Sequence, residues 1–356
     1  MKYNQVEPLI DNDDVKNVSE YLSSGAWITE HQKTRELENN IKDFVGRKYG
    51  IAVPNGTIAI YLSLLGLGLE NKRIAVPNIT MIATINAIIW ANSTPVLIDV
   101  NSDDLCMSYD DLIKENDLDG VIFVPLNGRS GEGEKIHNWC KNNNIKFIED
   151  SAHALGSSYG DTFCGSLGDA SVISFTPHKI VTMGQGGMIL TNHDDVNEKL
   201  EKLKSFNRSK DKVDWHEGFG LNFKITDMQA VLGLSQLEKL EKFIKNKQKN
   251  LLHYKNYINN ENIEVMGFND YEVPWFFDIK IESIEYKNIF IEKLRDNEIE
   301  TRNVYPVLSK QSYLAEYSKN NLGVSENIFE KVIWLPSSNF LKEKDIKEIS
   351  EVINSI

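Results

Sequence analysis

Short apolar segments alternate with segments of helix length between about residue 50 and residue 191, and this alternation limits the possible folds most strongly. The apolar segments predict strands at 51–53, 73–76, 95–99, 120–124, 145–149, 170–175 and 187–191. Nearly continuous apolar strands are typical of a sheet covered on both faces, and the intervening segments supply the covering helices. The pattern predicts an α/β fold with a mostly parallel sheet, in which ligands bind beyond the carboxyl ends of the strands.

The second part of the chain has a different pattern. Thr226 is the predicted N-cap of a helix that continues toward Leu240. The further predicted elements are a Lys- and Asn-rich helix at about 242–260, a strand at 275–281 and amphipathic helices near 285–296 and 343–355. A chain of 356 residues is long enough for two domains. We therefore predict a large ligand-binding domain, residues 1–240, and a smaller C-terminal α+β domain, residues 241–356.

Composition excludes several classes of partner. The net charge is −13 and no basic stripe is visible, which argues against nucleic acid. No uninterrupted apolar segment reaches the ~20 residues that a bilayer span requires, and we expect no signal peptide and no membrane partner. Three cysteines are too few and too scattered for a disulfide framework or a metal site: Cys106, Cys140 and Cys164. We expect reduced thiols, no bound metal and a cytoplasmic protein.

Lys179 lies in the turn between the last two predicted strands of the large domain, just before Gly184-Gln185-Gly186-Gly187. The glycines indicate a tightly turned backbone that brings a primary amine close to a planar or anionic ligand. An isolated lysine in such a turn is more often a solvated surface side chain. Its interpretation therefore depends on the other polar residues at the strand ends.

Two other strand ends carry polar residues that suit a ligand. Gly56 and Thr57 begin an apolar helix after the first strand, and a helix N-terminus with these residues suits a phosphate. Asp150 and His153 follow the fifth strand, where a carboxylate can hold a protonated ring nitrogen and an imidazole can bond a ring oxygen. Each feature alone also fits an ordinary helix cap or a satisfied imidazole.

Together, these residues match the requirements of pyridoxal 5'-phosphate. A protein that binds this cofactor needs a lysine for a Schiff base, a carboxylate facing the pyridine nitrogen and a phosphate site at a helix terminus. The chain offers Lys179, Asp150 and the Gly56-Thr57 turn for these roles, with Ser174 just before the lysine turn. We therefore predict a pyridoxal-phosphate enzyme.

The chain resembles the DegT/DnrJ/EryC1/StrS family of sugar aminotransferases, which have fold type I, and in particular its perosamine-synthase-like members. The segments that carry the resemblance span nearly the whole chain: 24–28, 55–57, 77–80, 149–153, 174–187, 220–227 and 301–306. The lysine segment with its closing glycines is the most specific of them. Some relatives have histidine instead of the lysine and act as dehydratases. Here His178 precedes Lys179, but counting back from Gly184 places Lys179 at the lysine position.

The resemblance implies roles for individual residues. Lys179 is expected to bind the cofactor and move the proton, Asp150 to face the pyridine nitrogen and His153 to lie by the phenolic oxygen. The residues expected to bind the phosphate are Gly56, Thr57, Ser174 and, from the second subunit of a homodimer, Asn222. Met81 stands where the family often has an aromatic residue against the cofactor ring. Further departures are Gln185 between the glycines and Asn127 in place of a common tyrosine.

The resemblance also implies the substrates, which the residues alone do not identify. We expect L-glutamate as the amino donor and a nucleotide-linked 4-keto-6-deoxy sugar as the acceptor, in surface polysaccharide synthesis. Five cations are candidates for the diphosphate: Lys33, Arg35, Arg129, Arg208 and Arg302. Because several residues near the cofactor depart from the family, a small phosphorylated ketone such as a triose phosphate stays an alternative acceptor. A non-catalytic, cofactor-binding regulatory protein is a second alternative.

Overall fold

A seven-stranded sheet forms the centre of the computed structural model, which describes residues 1–318 and 321–356. Its strands are β1 (Tyr49–Val53), β2 (Arg73–Pro77), β3 (Thr94–Ile98), β4 (Gly120–Phe123), β5 (Lys146–Asp150), β6 (Ala170–Ser174) and β7 (Gly187–Thr191). Their order across the sheet is β1-β7-β6-β5-β4-β2-β3. The neighbours from β6 to β3 are parallel, and β7 runs antiparallel to both β1 and β6. The predicted α/β fold with a mostly parallel sheet is confirmed.

Helices of the large domain region pack against both faces of this sheet or against one another. They are α1 (Asn12–Ser23), α2 (Gln32–Val45), α3 (Gly56–Gly66), α4 (Ile82–Trp90), α5 (Tyr109–Leu112), α6 (Gly133–Asn142), α7 (Asp194–Lys204) and α8 (Asp227–Leu237). Ile74 and Val76 of β2 pack into one apolar cluster, whereas Ala75 between them packs into another. Because both faces are buried, successive residues of a strand are all apolar, and this explains the continuous apolar segments of the sequence.

A smaller antiparallel sheet lies in the second part of the chain, in the order β10-β11-β9-β8. Its strands are β8 (Ile263–Val265), β9 (Phe277–Ile281), β10 (Arg302–Asn303) and β11 (Val332–Leu335). The helices around it are α9 (Leu240–Tyr257), α10 (Ile284–Asp296), α11 (Gly323–Ile328) and α12 (Glu343–Asn354). One apolar cluster includes Phe123 and Phe147 of the large sheet together with Phe276 and Trp334. The two sheets thus share part of the core, and the domain division at residue 240 stays a prediction.

Side-chain caps fix the start of two helices near the site. The Asn55 side chain accepts a hydrogen bond from the Ile58 amide at 2.9 Å, so α3 begins at Gly56 directly after β1. Thr226 caps α8 as predicted, and it forms a capping box with Gln229. The strand predicted from residue 275 begins two residues later, because the backbone of Trp275 and Phe276 is hydrogen-bonded to Asn127 instead of to a neighbouring strand.

The remaining features concern the membrane, metals and thiols. Among residues 1–318 and 321–356, no helix is long and apolar enough to cross a membrane. The same residues contain no group of three or more His, Cys, Asp or Glu side chains that could hold a metal ion. The three cysteines are buried and form no disulfide. The cytoplasmic location stays a prediction.

Candidate active site

A cavity of about 500 Å³ opens at the carboxyl ends of β5 and β6, next to the N-terminal ends of α3 and α4. All of the predicted catalytic and cofactor-binding residues except Asn222 line it: Gly56, Thr57, Met81, Asp150, His153, Ser174 and Lys179. They come from separate parts of the chain, and the parallel sheet brings them together because its strands end at one edge. Asn222 is exposed, its backbone pairs with Ser205, and it does not line the cavity of its own chain.

Lys179 lies in the loop between β6 and β7, where its backbone amide donates to the Thr176 carbonyl at 3.0 Å. Its Nζ lies 3.8 Å from the centre of the Trp275 ring. Burial lowers the pKa of Lys179 from 10.5 to about 7, with Asp150 opposing this shift and Arg302 adding to it. A large fraction of the amine is therefore neutral near pH 7, and the neutral form is the one that attacks a carbonyl carbon.

Asp150 is the last residue of β5 and is buried. Its Oδ2 accepts a hydrogen bond from Thr84 Oγ1 at 2.8 Å. Burial raises the pKa of Asp150, whereas the bond from Thr84 and the nearby Lys179 lower it. The carboxylate also accepts from the Ala152 amide at 3.4 Å, and with two donors and a cation nearby it can hold a protonated ring nitrogen in the cavity.

His153 is buried at the cavity wall, with its ring stacked on Trp275 at a centroid distance of 4.0 Å. The Asn127 amide donates to His153 Nδ1 at 3.4 Å. Burial, and then the charge of Lys179, lower the pKa of His153 well below its usual value. The imidazole is therefore neutral, and because Nδ1 accepts, the proton lies on Nε2, where it can be donated to a ligand oxygen.

The N-terminal turn of α3 approaches the loop edge of the sheet so closely that a side chain would be crowded at Gly56 and has no room at Gly187. A Cβ at Gly56 would lie 3.2 Å from the Ser174 Cβ. A Cβ at Gly187 would lie 2.5 Å from both the carbonyl carbon and oxygen of Asn55. This close approach leaves the positive end of the α3 dipole, with Thr57 and Ser174 beside it, facing the cavity, and such a site favours a phosphate.

The residues present therefore fit pyridoxal phosphate at each of its polar groups. The α3 turn suits the phosphate, Asp150 suits a protonated ring nitrogen, and the neutral His153 has a proton to donate to an oxygen. Lys179 supplies a partly neutral amine in the same cavity. Met81 also lines this cavity, and its Sδ accepts a hydrogen bond from the Ala83 amide at 3.0 Å, so the thioether caps α4.

Of the five cations predicted for the diphosphate, only Arg302 lines the cavity. The prediction for Arg129 is wrong, because its side chain is buried and forms an ion pair with Asp278. Lys33 and Arg35 form ion pairs with glutamates of their own segment. Arg208 is exposed and does not line the cavity. Sequence order cannot separate these cases, because each cation lies in a different segment whose place depends on tertiary packing.

Trp275, Tyr305 and Thr84 also line the cavity, although no pattern in the sequence predicts a role for them in the site. The pattern around Trp275 predicts only a strand. Trp275 lies 96 positions after Lys179 in the sequence, and no spacing or motif connects the two. Thr84 follows the segment that resembles the family at 77–80, and Tyr305 lies within the similar segment 301–306, so these positions are the indications that the sequence offers.

Comparisons with known proteins agree with this geometry. The sequence model of the DegT/DnrJ/EryC1/StrS aminotransferase family matches residues 8–354. A protein named GDP-perosamine synthase from Escherichia coli O157:H7 is 32% identical over 99% of this chain and 98% of its own length. A GDP-perosamine synthase from Vibrio cholerae is 27% identical over 98% of this chain and 97% of its own length.

A solved structure, Helicobacter pylori PseC, has the same fold. It superposes with a TM-score of 0.93 over 99% of this chain and 98% of its own chain, at 24% sequence identity. The family match, the relatives and the fold agree, and the residues in the cavity fit the cofactor of the family. This chain therefore belongs to the DegT/DnrJ/EryC1/StrS aminotransferase family and is a pyridoxal-phosphate-dependent aminotransferase.

Proposed function

We propose that this enzyme transfers an amino group from L-glutamate to a nucleotide-linked 4-keto-6-deoxy sugar for surface polysaccharide synthesis. The observation that carries the proposal is the 32% identity, over nearly the whole chain, to a protein named GDP-perosamine synthase. Other relatives are named UDP-4-amino-4,6-dideoxy-N-acetyl-beta-L-altrosamine transaminase and spore coat polysaccharide biosynthesis protein SpsC. Each of these names refers to a nucleotide sugar or to a surface polysaccharide, and this supports the proposed class of acceptor.

The cavity supports an acceptor with an anionic group. Arg302 lies at its edge, with the guanidinium 5.8 Å from the Tyr305 ring centre and 5.5 Å from the Trp334 ring centre. Its side chain is exposed and has no carboxylate partner among the described ion pairs, so its charge is free to meet a ligand. A planar guanidinium can contact two phosphate oxygens at once, and we propose that it holds the diphosphate.

The proposed chemistry divides among the side chains of the cavity. When bound, pyridoxal phosphate supplies an electron sink for the α-carbon of the amino donor. Lys179, with its pKa of about 7, can take a proton from one carbon and return it to another near neutral pH. Asp150 stabilises positive charge at the ring nitrogen site, and His153 donates to an oxygen. The α3 turn and Ser174 hold the phosphate in place.

We further propose that the enzyme works as a homodimer whose sites are shared. Asn222 is exposed outside its own cavity, and it lies in a segment that also presents Trp215 and Phe219, with 55% and 70% of their surface exposed. Exposed aromatic residues are enriched in protein interfaces. A two-fold dimer that covers this segment would let Asn222 contact the phosphate held by the partner subunit.

The proposal is tested with purified enzyme, pyridoxal phosphate and glutamate against a panel of keto acceptors, with the amino product detected by mass. We expect turnover with a nucleotide-linked 4-keto-6-deoxy sugar, and no turnover by Lys179→Ala. A matched control is Lys114→Ala, because Lys114 is 70% exposed and does not line the cavity. If Lys179→Ala is as active as the wild type, the catalytic role proposed for Lys179 is refuted.

The same panel separates the two alternatives. Turnover with a triose phosphate and none with any nucleotide sugar would replace the proposed acceptor by a small phosphorylated ketone. Borohydride reduction followed by peptide mapping should find the cofactor attached to Lys179. A protein that carries the cofactor there, but releases no 2-oxoglutarate from glutamate whether or not an acceptor is present, would instead be a regulatory protein.

A further inference from the structure

Trp275 lies between the two parts of the chain and contacts two residues of the proposed active site. Its ring centre is 3.8 Å from Lys179 Nζ and 4.0 Å from the centre of the His153 ring. Only 6% of its surface is exposed. The residue precedes β9 of the smaller sheet, so the smaller sheet supplies one wall of a cavity that the large sheet otherwise forms.

Every polar atom of Trp275 has a hydrogen-bond partner. Its backbone amide donates to the Asn127 carbonyl at 3.0 Å, and its carbonyl accepts from Lys247 Nζ at 2.6 Å. The indole Nε1 donates to the His178 carbonyl at 2.6 Å, next to Lys179 in the chain. Three bonds from three different segments therefore fix both the backbone and the ring plane of Trp275.

Asn127, in the turn after β4 of the large sheet, holds the backbone of the segment that carries Trp275. Its backbone has a φ of +59°, a left-handed conformation that asparagine adopts more readily than most residues. Its side chain accepts from the Phe276 amide at 2.7 Å and donates to the Phe276 carbonyl at 2.9 Å. Asn127 thus binds the segment that carries Trp275 in the manner of a neighbouring strand. This is the position at which the family commonly has tyrosine.

We propose that Trp275 is a positioning residue of the transamination, which holds the Lys179 amine at the reacting side of the cavity. A lysine side chain has four rotatable bonds, and its amine must stay in place between removing a proton and returning it. The face of an indole ring attracts an ammonium group and excludes water on that side. The same ring packs on His153, so one side chain orients both groups. This inference rests on the proposed role of Lys179.

Two substitutions distinguish the effect of the aromatic ring of Trp275 from the effect of its side-chain volume. Trp275→Phe keeps a flat ring face beside Lys179, whereas Trp275→Met keeps much of the volume but has no ring. We expect Trp275→Met to lower kcat at least about tenfold with less than about a threefold change in KM for the acceptor. Trp275→Phe should keep kcat within about threefold of the wild type. Trp139→Met is the matched control, because Trp139 lies in α6 and does not line the cavity.

A second readout does not depend on turnover. Cofactor-free protein is mixed with pyridoxal phosphate, and the rate of its attachment to Lys179 is followed by borohydride trapping and peptide mapping. We expect slower attachment in Trp275→Met and near-normal attachment in Trp275→Phe. If Trp275→Met does not fold, Lys247→Met serves instead, because it keeps the indole ring but removes the bond to the Trp275 carbonyl, together with the bond to the Ser337 carbonyl, and should slow attachment in the same direction.

The outcomes distinguish this inference from the proposed function. If Trp275→Met keeps wild-type kcat and attachment rate while Lys179→Ala is inactive, the role of Trp275 is refuted and the function stands. Equal losses in Trp275→Phe and Trp275→Met would also refute it, because the ring would then have no special effect. Full activity of Lys179→Ala would instead remove the proposed function on which the inference depends.

Discussion

Arg129 and Asp278 form a buried, two-bond ion pair where the loop after β4 meets β9. Arg129 Nη2 lies 2.6 Å from Asp278 Oδ1, and Nη1 lies 2.8 Å from Oδ2. The side chains are only 2% and 0% exposed. Asn127 donates to the same Oδ2 at 2.8 Å, and the guanidinium lies 3.8 Å from the Phe268 ring centre. The pair therefore joins the large sheet to the smaller one next to Trp275.

We expect Arg129→Met to destabilise the fold by about 3–5 kcal/mol, because it leaves the Asp278 charge buried without its partner. The free energy of unfolding is measured by denaturant titration. Lys245→Met is the matched control, since the Lys245–Glu241 pair is 71% and 81% exposed, and its loss should cost less than about 1 kcal/mol. Equal effects of the two substitutions would contradict the structural role of the buried pair.

The pKa of Lys179 predicts how cofactor attachment depends on pH. Only the neutral amine attacks the cofactor aldehyde, and this amine has a pKa of about 7 instead of 10.5. In cofactor-free enzyme, the attachment rate should level off above about pH 8 and fall about tenfold per pH unit well below pH 7. Initial rates of borohydride-trapped attachment measure this profile. A rate that keeps rising up to pH 10 would show that the lysine has an ordinary pKa.

Substitutions of two charged neighbours should move this midpoint in opposite directions. Asp150 raises the pKa of Lys179 and Arg302 lowers it. Asp150→Asn should therefore shift the midpoint to lower pH, and Arg302→Gln should shift it to higher pH. Arg302→Lys keeps the charge and should leave the midpoint near that of the wild type. Shifts of the same sign in Asp150→Asn and Arg302→Gln would contradict the assigned electrostatics.

The fold and the turn proposed for the phosphate could be predicted from sequence because both depend on local patterns, whereas the resemblance alone indicates Met81 and Asn222. Buried strands require continuous apolar segments, and a phosphate at a helix start requires Gly56 and Thr57 directly after β1. The structure brings these residues into one cavity with Lys179, as the strand-end argument predicts. Their roles in catalysis remain predictions until the variants are measured.

Tertiary contacts account for what the sequence did not indicate. Arg129 has the charge and the planar guanidinium of a phosphate-binding residue. Its partner Asp278 is far away in the chain, so no local sequence pattern indicates that Arg129 is buried. The pattern around Trp275 predicts a strand because aromatic and apolar residues favour β structure. In the fold, the polar atoms of Asn127 take the place of a strand neighbour, and the Trp275 ring contacts Lys179 instead.

Gly187 provides a test of the phosphate site that removes no polar group. Gly187→Ala would place a methyl group 2.5 Å from the Asn55 carbonyl and 2.9 Å from the Gly56 amide nitrogen, so the start of α3 has to move. We expect the affinity for pyridoxal phosphate to fall at least about tenfold. Titration of cofactor-free protein measures it. Gly267→Ala is the control, because an added Cβ there meets nothing within 4 Å.

A preserved affinity in folded Gly187→Ala would show that this close approach does not shape the phosphate site. Near-UV circular dichroism and the unfolding midpoint establish that the variant is folded. A loss of affinity in Gly267→Ala of the same size would point to a general effect of removing a glycine. In either case the assignment of the α3 turn to the phosphate would need another argument.

Subunit mixing tests whether Asn222 acts on the cavity of the partner subunit. Lys179→Ala and Asn222→Asp chains carry different tags and are expressed together, and the mixed dimer is purified through both tags. In that dimer, one site has both changes, while the other has Lys179 from one chain and Asn222 from the partner. We therefore expect recovery of about half of the wild-type activity per dimer, although each homodimer is impaired.

A mixed dimer of Lys179→Ala and Asp150→Asn is the control. Both of these residues line the cavity of their own chain, so each of its sites keeps one defect and activity should not return. No recovery in the first mixture would mean that Asn222 does not serve the partner's site.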